Sequence, residues 1–589
     1  MMDSPDVSPV EPLLTEEPAA AVAVSRRRRV TVVLYTVMVI AAWVGLELWG
    51  LGRAPFDTKG EPREGLVVWQ LTHEGSWILP RRAGPTGIEV PSKPPLFHWL
   101  GAMTSLVRGS TDEWSIRFPS AALSLISLLC VFAAGTALWS PRAGLFSALA
   151  LMTMFEWARA ATGARVDMTL TFGLQIAFLS LLFFLRSRAP GWLVPLYLGM
   201  ALAVLGKGPV GVALPGLVAL VMLGLTRDTS FLRQMRLGYG ALVVGVLAGS
   251  WYAMALIVGG WQFFYKQILA ENVFTFLDSQ KFGGGHRHTV FYMLGALLLG
   301  LMPWTICLPG LAGRLWRNRR QLTLSDARVY LLVWTAVVFA FYALAASKRS
   351  VYLLSLYPAV ALLLGWWADE QSRAPADEDR WLGYVIRWVS WSLAGLLAVL
   401  FVIVLLESLG LPLCMSVQRW LPRSAQRYAP WISETVRSGH WPLMGLLLIA
   451  AAWPYAAVRP AASPGWVARL AGLWGATAAI TVSVNLVILP GIAQHESFRS
   501  LMVQVRQVLG PERDLCFFNT FEYGAVFYWQ DHIPSCGEKW QAGAPRYQLM
   551  DKNEWENIRP SVRGQYEQIT FADGTAADTR LVLVRRMGE

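Results

Sequence analysis

Charged side chains are scarce in this sequence, and those that could do chemistry fall in five short segments. The first holds Asp57, Lys59, Glu61, Arg63 and Glu64, then Arg81, then Ser92-Lys93-Pro94-Pro95. The second is Arg165-Val166-Asp167-Met168, the third Gly206-Lys207-Gly208-Pro209, and the fourth Lys281 with His286 and His288. The fifth is Lys348-Arg349-Ser350-Val351-Tyr352. A carboxylate within hydrogen-bond reach takes a proton from an attacking hydroxyl, and lysine or arginine neutralises charge building on a departing phosphate. This mixture suits transfer from a lipid phosphate or pyrophosphate whose chain stays in the bilayer while its head group enters a cavity.

The elements that carry these segments are apolar. Of 589 residues, 54% are hydrophobic and 15% charged, and mean hydropathy is +0.42. Soluble domains average about 45–50% apolar and about 25% charged. A polytopic α-helical membrane protein is therefore expected, and disorder, collagen-like repeats and a disulfide-dense secreted scaffold are excluded, since five cysteines are too few for the last. Runs long enough to cross ~30 Å of hydrocarbon begin near Val30, Phe118, Ala143, Met168, Trp192, Pro209, Tyr239, Phe291, Val329, Val351, Val385, Trp441 and Leu470, about thirteen spans.

Net charge is +12. Residues 491–589 hold 11 basic and 13 acidic residues, a net of −2, which leaves +14 for residues 1–490. Arginines that set topology account for this excess, and no nucleic-acid partner is expected. Arg26 to Arg29 precede the first span, and alternate links carry Arg142, Arg186 to Arg188, Arg227 to Arg236, Arg314 to Arg320, Arg373 to Arg380 and Arg459 to Arg469. The positive-inside rule places these links with a cytoplasmic N-terminal tail, residues 1–29, and puts the five polar segments outside. Residues 30–490 then form the transmembrane part, with a first outer loop over 53–117.

Within that loop the run from Pro94 to Val107 is too short to span. It is read as a juxtamembrane helix with Phe97 and Trp99 at headgroup depth. Residues 491–589 read as a small periplasmic α/β domain, with a helix over Ser497–Leu509 and strands at Asp514–Phe518, Ile569–Phe571 and Arg580–Arg585. Cys516 and Cys536 lie there, where an oxidising compartment permits a disulfide, while Cys130, Cys307 and Cys414 suit apolar packing. No Walker loop, dinucleotide fingerprint, zinc helix or serine elbow is present.

In order along the chain, GEPREGLVVWQLTHEGSWILPRR, SKPPLFHW, ARVDM, GKGPVG, KFGGGHRH with LMPWT, and SKRSVYLLSLYP resemble the motif series of the GT-C glycosyltransferases. The likeness covers about residues 30–370 and is nearest to the lipid A aminoarabinose transferases and protein O-mannosyltransferases. It implies the GT-C fold and inverting transfer of one sugar from polyprenyl phosphate to lipid A, a glycan or a protein at the outer face of a bacterial inner membrane. No nucleotide is implied, because the donor arrives activated.

The resemblance also implies site residues. The family's catalytic position is the first acid of an Asp-Glu pair, and this chain has Gly60-Glu61 there. Either Glu61 takes over as base, helped by Asp57 or Glu64, or Asp167 is the main carboxylate, and both enter as catalytic candidates. Lys93 matches the phosphate-binding lysine of the family's Lys-Pro-Pro motif, and Lys207, Arg349, Tyr352 and Arg81 complete the donor-phosphate set. Ser92 stands where relatives carry a metal-binding Glu, so a divalent metal at His286 or His288 remains an open alternative without its carboxylate. Plainer roles are loop ion pairing for Glu61, snorkelling for Lys207, and topology or interface marking for Arg349 and Tyr352. Two other functions compete: a transporter or flippase, against which the absence of repeated halves counts, and a non-catalytic relic of the fold.

Overall fold

The computed structural model describes residues 17–587 apart from 86, 275–287, 374–379, most of 412–464, 511–513, 537–544 and 570–579. Among the described residues nine helices are long and apolar enough to cross a membrane, and each overlaps a run read from the sequence. They are Arg26–Leu48, Glu113–Leu138, Val166–Ser187, Pro190–Lys207, Leu237–Glu271, Ala327–Leu344, Ser350–Arg373, Trp381–Ser408 and Trp466–Glu496.

The other expected spans differ. The Ala143 run is two short helices, Pro141–Met152 and Phe155–Ala161, broken where Thr153 turns its hydroxyl back onto the Leu149 carbonyl. The Pro209 run is one helix of 17 residues, Val210–Thr226. The Phe291 run bends by 98° between Val290–Gly300 and Trp304–Arg317, at Pro303, where the ring has no N–H for a helix bond. The Trp441 run and Cys414 lie outside the described residues.

Arginine-bearing links meet one another. Arg142 donates to Ser372, Arg314 pairs with Glu370, and Arg186 reaches the carbonyl of Ser325. These contacts join links that the charge pattern had placed on one side.

The polar end is built from the first loop and the C-terminal segment together. Helix Gly60–Glu74 packs on helix Leu96–Arg108, flanked by the hairpin of β1 (Arg82–Gly84) and β2 (Gly87–Glu89). The C-terminal segment contributes helix Arg499–Leu509, helix Tyr523–Trp529 and a sheet of order β3-β4-β6-β5: β3 Leu515–Phe517, β4 Tyr547–Asp551, β5 Tyr566–Ile569, β6 Leu581–Arg586. Among the described strands of this sheet β3 and β4 pair in parallel and the others antiparallel. Sequence had missed β4 and set β5 three residues late, because QLM and EQI are too short for alternation to register. Cys516 and Cys536 form a disulfide.

One apolar cluster unites the two parts, combining Phe56, Leu66, Val68 and Phe97 with Phe498, Phe517, Phe527 and Trp529. Phe97 is fully buried there, which corrects its reading as a headgroup residue. The apolar residues that helix leaves exposed are Met103, Leu106 and Val107. The Phe56 N–H donates to Tyr528 Oη at 2.7 Å, and that hydroxyl donates to Glu113 at 2.7 Å, so a polar chain seals the seam.

Candidate functional site

Two helices fix the centre of the site by how closely they pack. Val166–Ser187 and Leu193–Lys207 are joined by a short link and run antiparallel, which sets the start of one beside the end of the other. A Cβ on Gly173 would lie 2.6 Å from the Ala203 nitrogen, and one on Gly199 2.7 Å from the Gly173 carbonyl oxygen. Only glycine permits that approach, as in other close helix pairs in lipid. It brings Asp167 and Lys207 into a buried ion pair. The Tyr352 ring lies under Lys207 Nζ at 4.3 Å, a cation–π contact that holds the ammonium from a third element.

These residues line a cavity of about 540 Å³ with Arg63, Glu64, Ser92, Lys93, Arg165, Glu271 and Arg349. Lys93 Nζ donates to Glu271 Oε2 at 2.6 Å. Glu64 is buried and doubly held: Arg63 donates to Oε1 at 2.7 Å, and His98 Nε2 lies 2.8 Å from Oε2. Burial alone would raise its pKa, but Arg63 and His98 outweigh it and keep Glu64 ionised well below the usual carboxylate range. Arg165 and Arg349 make no side-chain ion pair among the described residues. Among the described residues five cations thus face three carboxylates, a net of +2, and the cavity suits an anion.

Asp167, Lys93, Lys207, Arg349 and Tyr352 are therefore brought together, and Glu61 and Arg81 are not. Glu61 turns away from the cavity its neighbour Gly60 lines. Arg117 Nε and Nη2 donate to its two oxygens at 2.8 and 2.9 Å, and the Ala164 N–H donates at 2.9 Å. Burial raises its pKa, but the Arg117 guanidinium and these hydrogen bonds prevail and lower it. The partner is Arg117 and not a charge of the first segment; Lys59 of that segment pairs with Glu522. Glu61 lines a second cavity of about 550 Å³ with Glu47, Asp57, Arg117, Arg159 and Arg165. Arg165 alone among the cations borders both.

Arg81 borders a separate groove with Glu74, Trp77 and Val258, away from the cation cluster. Lys348 is buried and donates to the Ala345 carbonyl at 2.7 Å. His286 and Lys281 lie outside the described residues. His288 is exposed and stacks on Tyr292 at 4.1 Å. Among the described residues no three His, Cys, Asp or Glu side chains converge on one point.

Sequence reasoning assigned no role to Arg63, Arg165 or Glu271. Arg63 and Arg165 stand within quoted motifs and could have been found by their neighbours. Glu271 lies in the π-helical stretch Phe264–Phe274 that follows the apolar helix from Leu237, and a carboxylate near the end of an apolar run was the available signal.

Comparison with known proteins follows the same lines. Residues 92–268 match the family model of the dolichyl-phosphate-mannose-protein mannosyltransferases. The chain is 26% identical over 377 residues to the undecaprenyl phosphate-alpha-4-amino-4-deoxy-L-arabinose arabinosyl transferase of Pectobacterium carotovorum, a match covering 63% of each chain. It is 23% identical over 398 residues to the second such transferase of Proteus mirabilis, covering 66% of each. The matched region thus spans less than two thirds of the length of these relatives. Among solved structures, ArnT from Cupriavidus metallidurans bound to undecaprenyl phosphate superposes with a TM-score of 0.71 at 19% identity, covering 94% of this chain and 97% of that one. The fold is the GT-C membrane fold, and in sequence the chain resembles the aminoarabinose transferases.

Proposed function

We propose that this multi-pass membrane protein transfers one sugar from a polyprenyl-phosphate donor to an envelope acceptor, such as lipid A, a glycan or a protein. The observation that carries the reading is the cavity itself. Lys93, Lys207, Arg349 and Tyr352, drawn from three separate segments, line one chamber with Asp167 from a fourth, and its described lining carries a net charge of +2. A donor phosphodiester carries about one negative charge, and the polyprenyl phosphate that leaves carries up to two. The cavity thus matches the charge that develops on the leaving group better than that of the bound donor, which is how electrostatic catalysis is achieved.

Lys93, Lys207 and Arg349 meet the phosphate, Tyr352 steadies Lys207, and Arg63 and Arg165 add charge. Asp167 sets Lys207 in place and faces the sugar. Glu61, already held by Arg117, braces the start of helix Gly60–Glu74. Arg81 is read as a headgroup contact at its separate groove. A polyprenyl donor and an oxidised cysteine pair both suit the outer face of a bacterial inner membrane, with the tail 1–29 cytoplasmic, about thirteen crossings, and residues 491–589 periplasmic.

The test is transfer of labelled sugar from polyprenyl phosphate by purified protein in vesicles, beside mass spectrometry of envelope lipids, glycans and proteins from a deletion strain. A strain whose envelope is unchanged, together with purified protein that transfers nothing, would overturn the reading.

A further inference from the structure

Among the described residues the cavity holds three carboxylates, and their partners set them apart. Asp167 is fixed by Lys207, which is itself held over the Tyr352 ring. Glu64 is spent on Arg63 and His98. Glu271 has one hydrogen-bonded partner among the described residues, Lys93, and is more exposed than the others, with 29% of its side chain accessible. Lys93 is also the lysine that the donor phosphate would claim. Gly60, where a carboxylate would otherwise project into this chamber, has open space at the Cβ position and nothing to fill it.

We propose that Glu271 is a catalytic carboxylate of this chain, released by exchange of partners at Lys93. This rests on the donor reading above. In this arrangement Glu271 occupies Lys93 as a stand-in anion. A donor phosphate displaces it, and the freed carboxylate, still near Arg63, faces the acceptor. The acceptor is of the class whose attacking oxygen still carries a proton, a neutral hydroxyl. Its oxygen bonds to the anomeric carbon as the bond from that carbon to the phosphate oxygen breaks. The electron pair of the broken bond stays on the phosphate, where Lys93 meets it, and the hydroxyl proton passes to Glu271. The proton balance closes when Glu271 returns it to solvent and pairs again with Lys93. Coupling the two events gives order, because the base is free only once the donor is seated.

The experiment compares Glu271→Gln, Glu271→Asp and Lys93→Ala in the full chain. Binding of a polyprenyl phosphate in detergent micelles is measured beside kcat and KM for sugar transfer. Removing the competing anion in Glu271→Gln should tighten lipid-phosphate binding severalfold while kcat falls by about 10²–10⁴-fold, the usual worth of a general base. Glu271→Asp should recover part of kcat, and Lys93→Ala should weaken binding. A residue that merely supports the fold would lose both quantities together. Glu271→Gln with kcat within twofold of wild type, or with binding weakened as in Lys93→Ala, overturns the proposal. Wild-type protein that binds no polyprenyl phosphate overturns the donor reading beneath it, a result no Glu271 variant could mimic.

Discussion

Lys207 donates to Asp167 from the last turn of one helix to the first turn of its antiparallel neighbour, and the glycines between those helices decide that the two can touch. Removing one member of a buried pair leaves the other charge unmatched, at about 3–5 kcal/mol. Lys207→Ala and Asp167→Asn should each lose most activity. The double variant should be no worse than the poorer single one, as expected for residues acting as a unit. Additive losses in a double-mutant cycle would show the pair to be two independent contacts.

Lys93 should not be replaceable by arginine. Its compact ammonium fits between Glu271 and the chamber, and a planar guanidinium presents its donors in a different geometry. Lys93→Ala should lose at least about tenfold in lipid-phosphate affinity, equivalent to about 1.4 kcal/mol, and Lys93→Arg should restore only part. Full rescue by arginine, measured by binding, would mean the site asks only for positive charge.

The Glu61–Arg117 pair predicts a stability effect. Arg117 also donates to the carbonyls of Leu51 and Ala54, so Arg117→Met should loosen the whole entry to the first loop and lower the melting temperature. Glu61→Gln should do so less, since an amide still accepts one of these bonds. The pH dependence follows the same sign for Glu61 and Glu64. Both carboxylates titrate below their ordinary 4.5 in the folded protein. Their stabilisation is present in full above that value and is lost as pH falls toward the lowered folded values. Thermal melts of wild type and Glu61→Gln from pH 7 to pH 3 should converge; parallel curves would assign the acid sensitivity elsewhere.

The disulfide closes 20 residues of sequence separation, for which chain entropy gives about 3 kcal/mol. Reductant, or Cys516→Ser with Cys536→Ser, should lower the melting temperature of the β3–β6 sheet while the helical signal stays. An unchanged near-ultraviolet melt under full reduction would refute this.

Much of the fold was legible because apolar length is a long-range signal that needs no side-chain detail. The meeting of Asp167, Lys207 and Lys93 at one cavity was legible too, since each stands in a short polar motif beside an apolar run. Glu61 was misplaced because adjacent residues at a helix start can face different chambers: Gly60 borders one and Glu61 the other. Glu271 was passed over since its meaning depends on Lys93, 178 positions away. Phe97 read as an interface residue because no local pattern announces that Phe517 and Phe527 will cover it.

That cover sets a timetable for making the protein. The N–H of Phe56 waits for a hydroxyl 472 positions further along the chain, and the helix bearing Arg63 and Glu64, although it packs early on helix Leu96–Arg108, has the rest of its apolar face closed by residues translated near the end. Domains emerge and fold in the order of synthesis, at about 5–20 residues per second. The first loop therefore spends tens of seconds after its own emergence without the surface it needs. During that interval an incomplete chain leaves an apolar helix face open to whatever else is folding nearby.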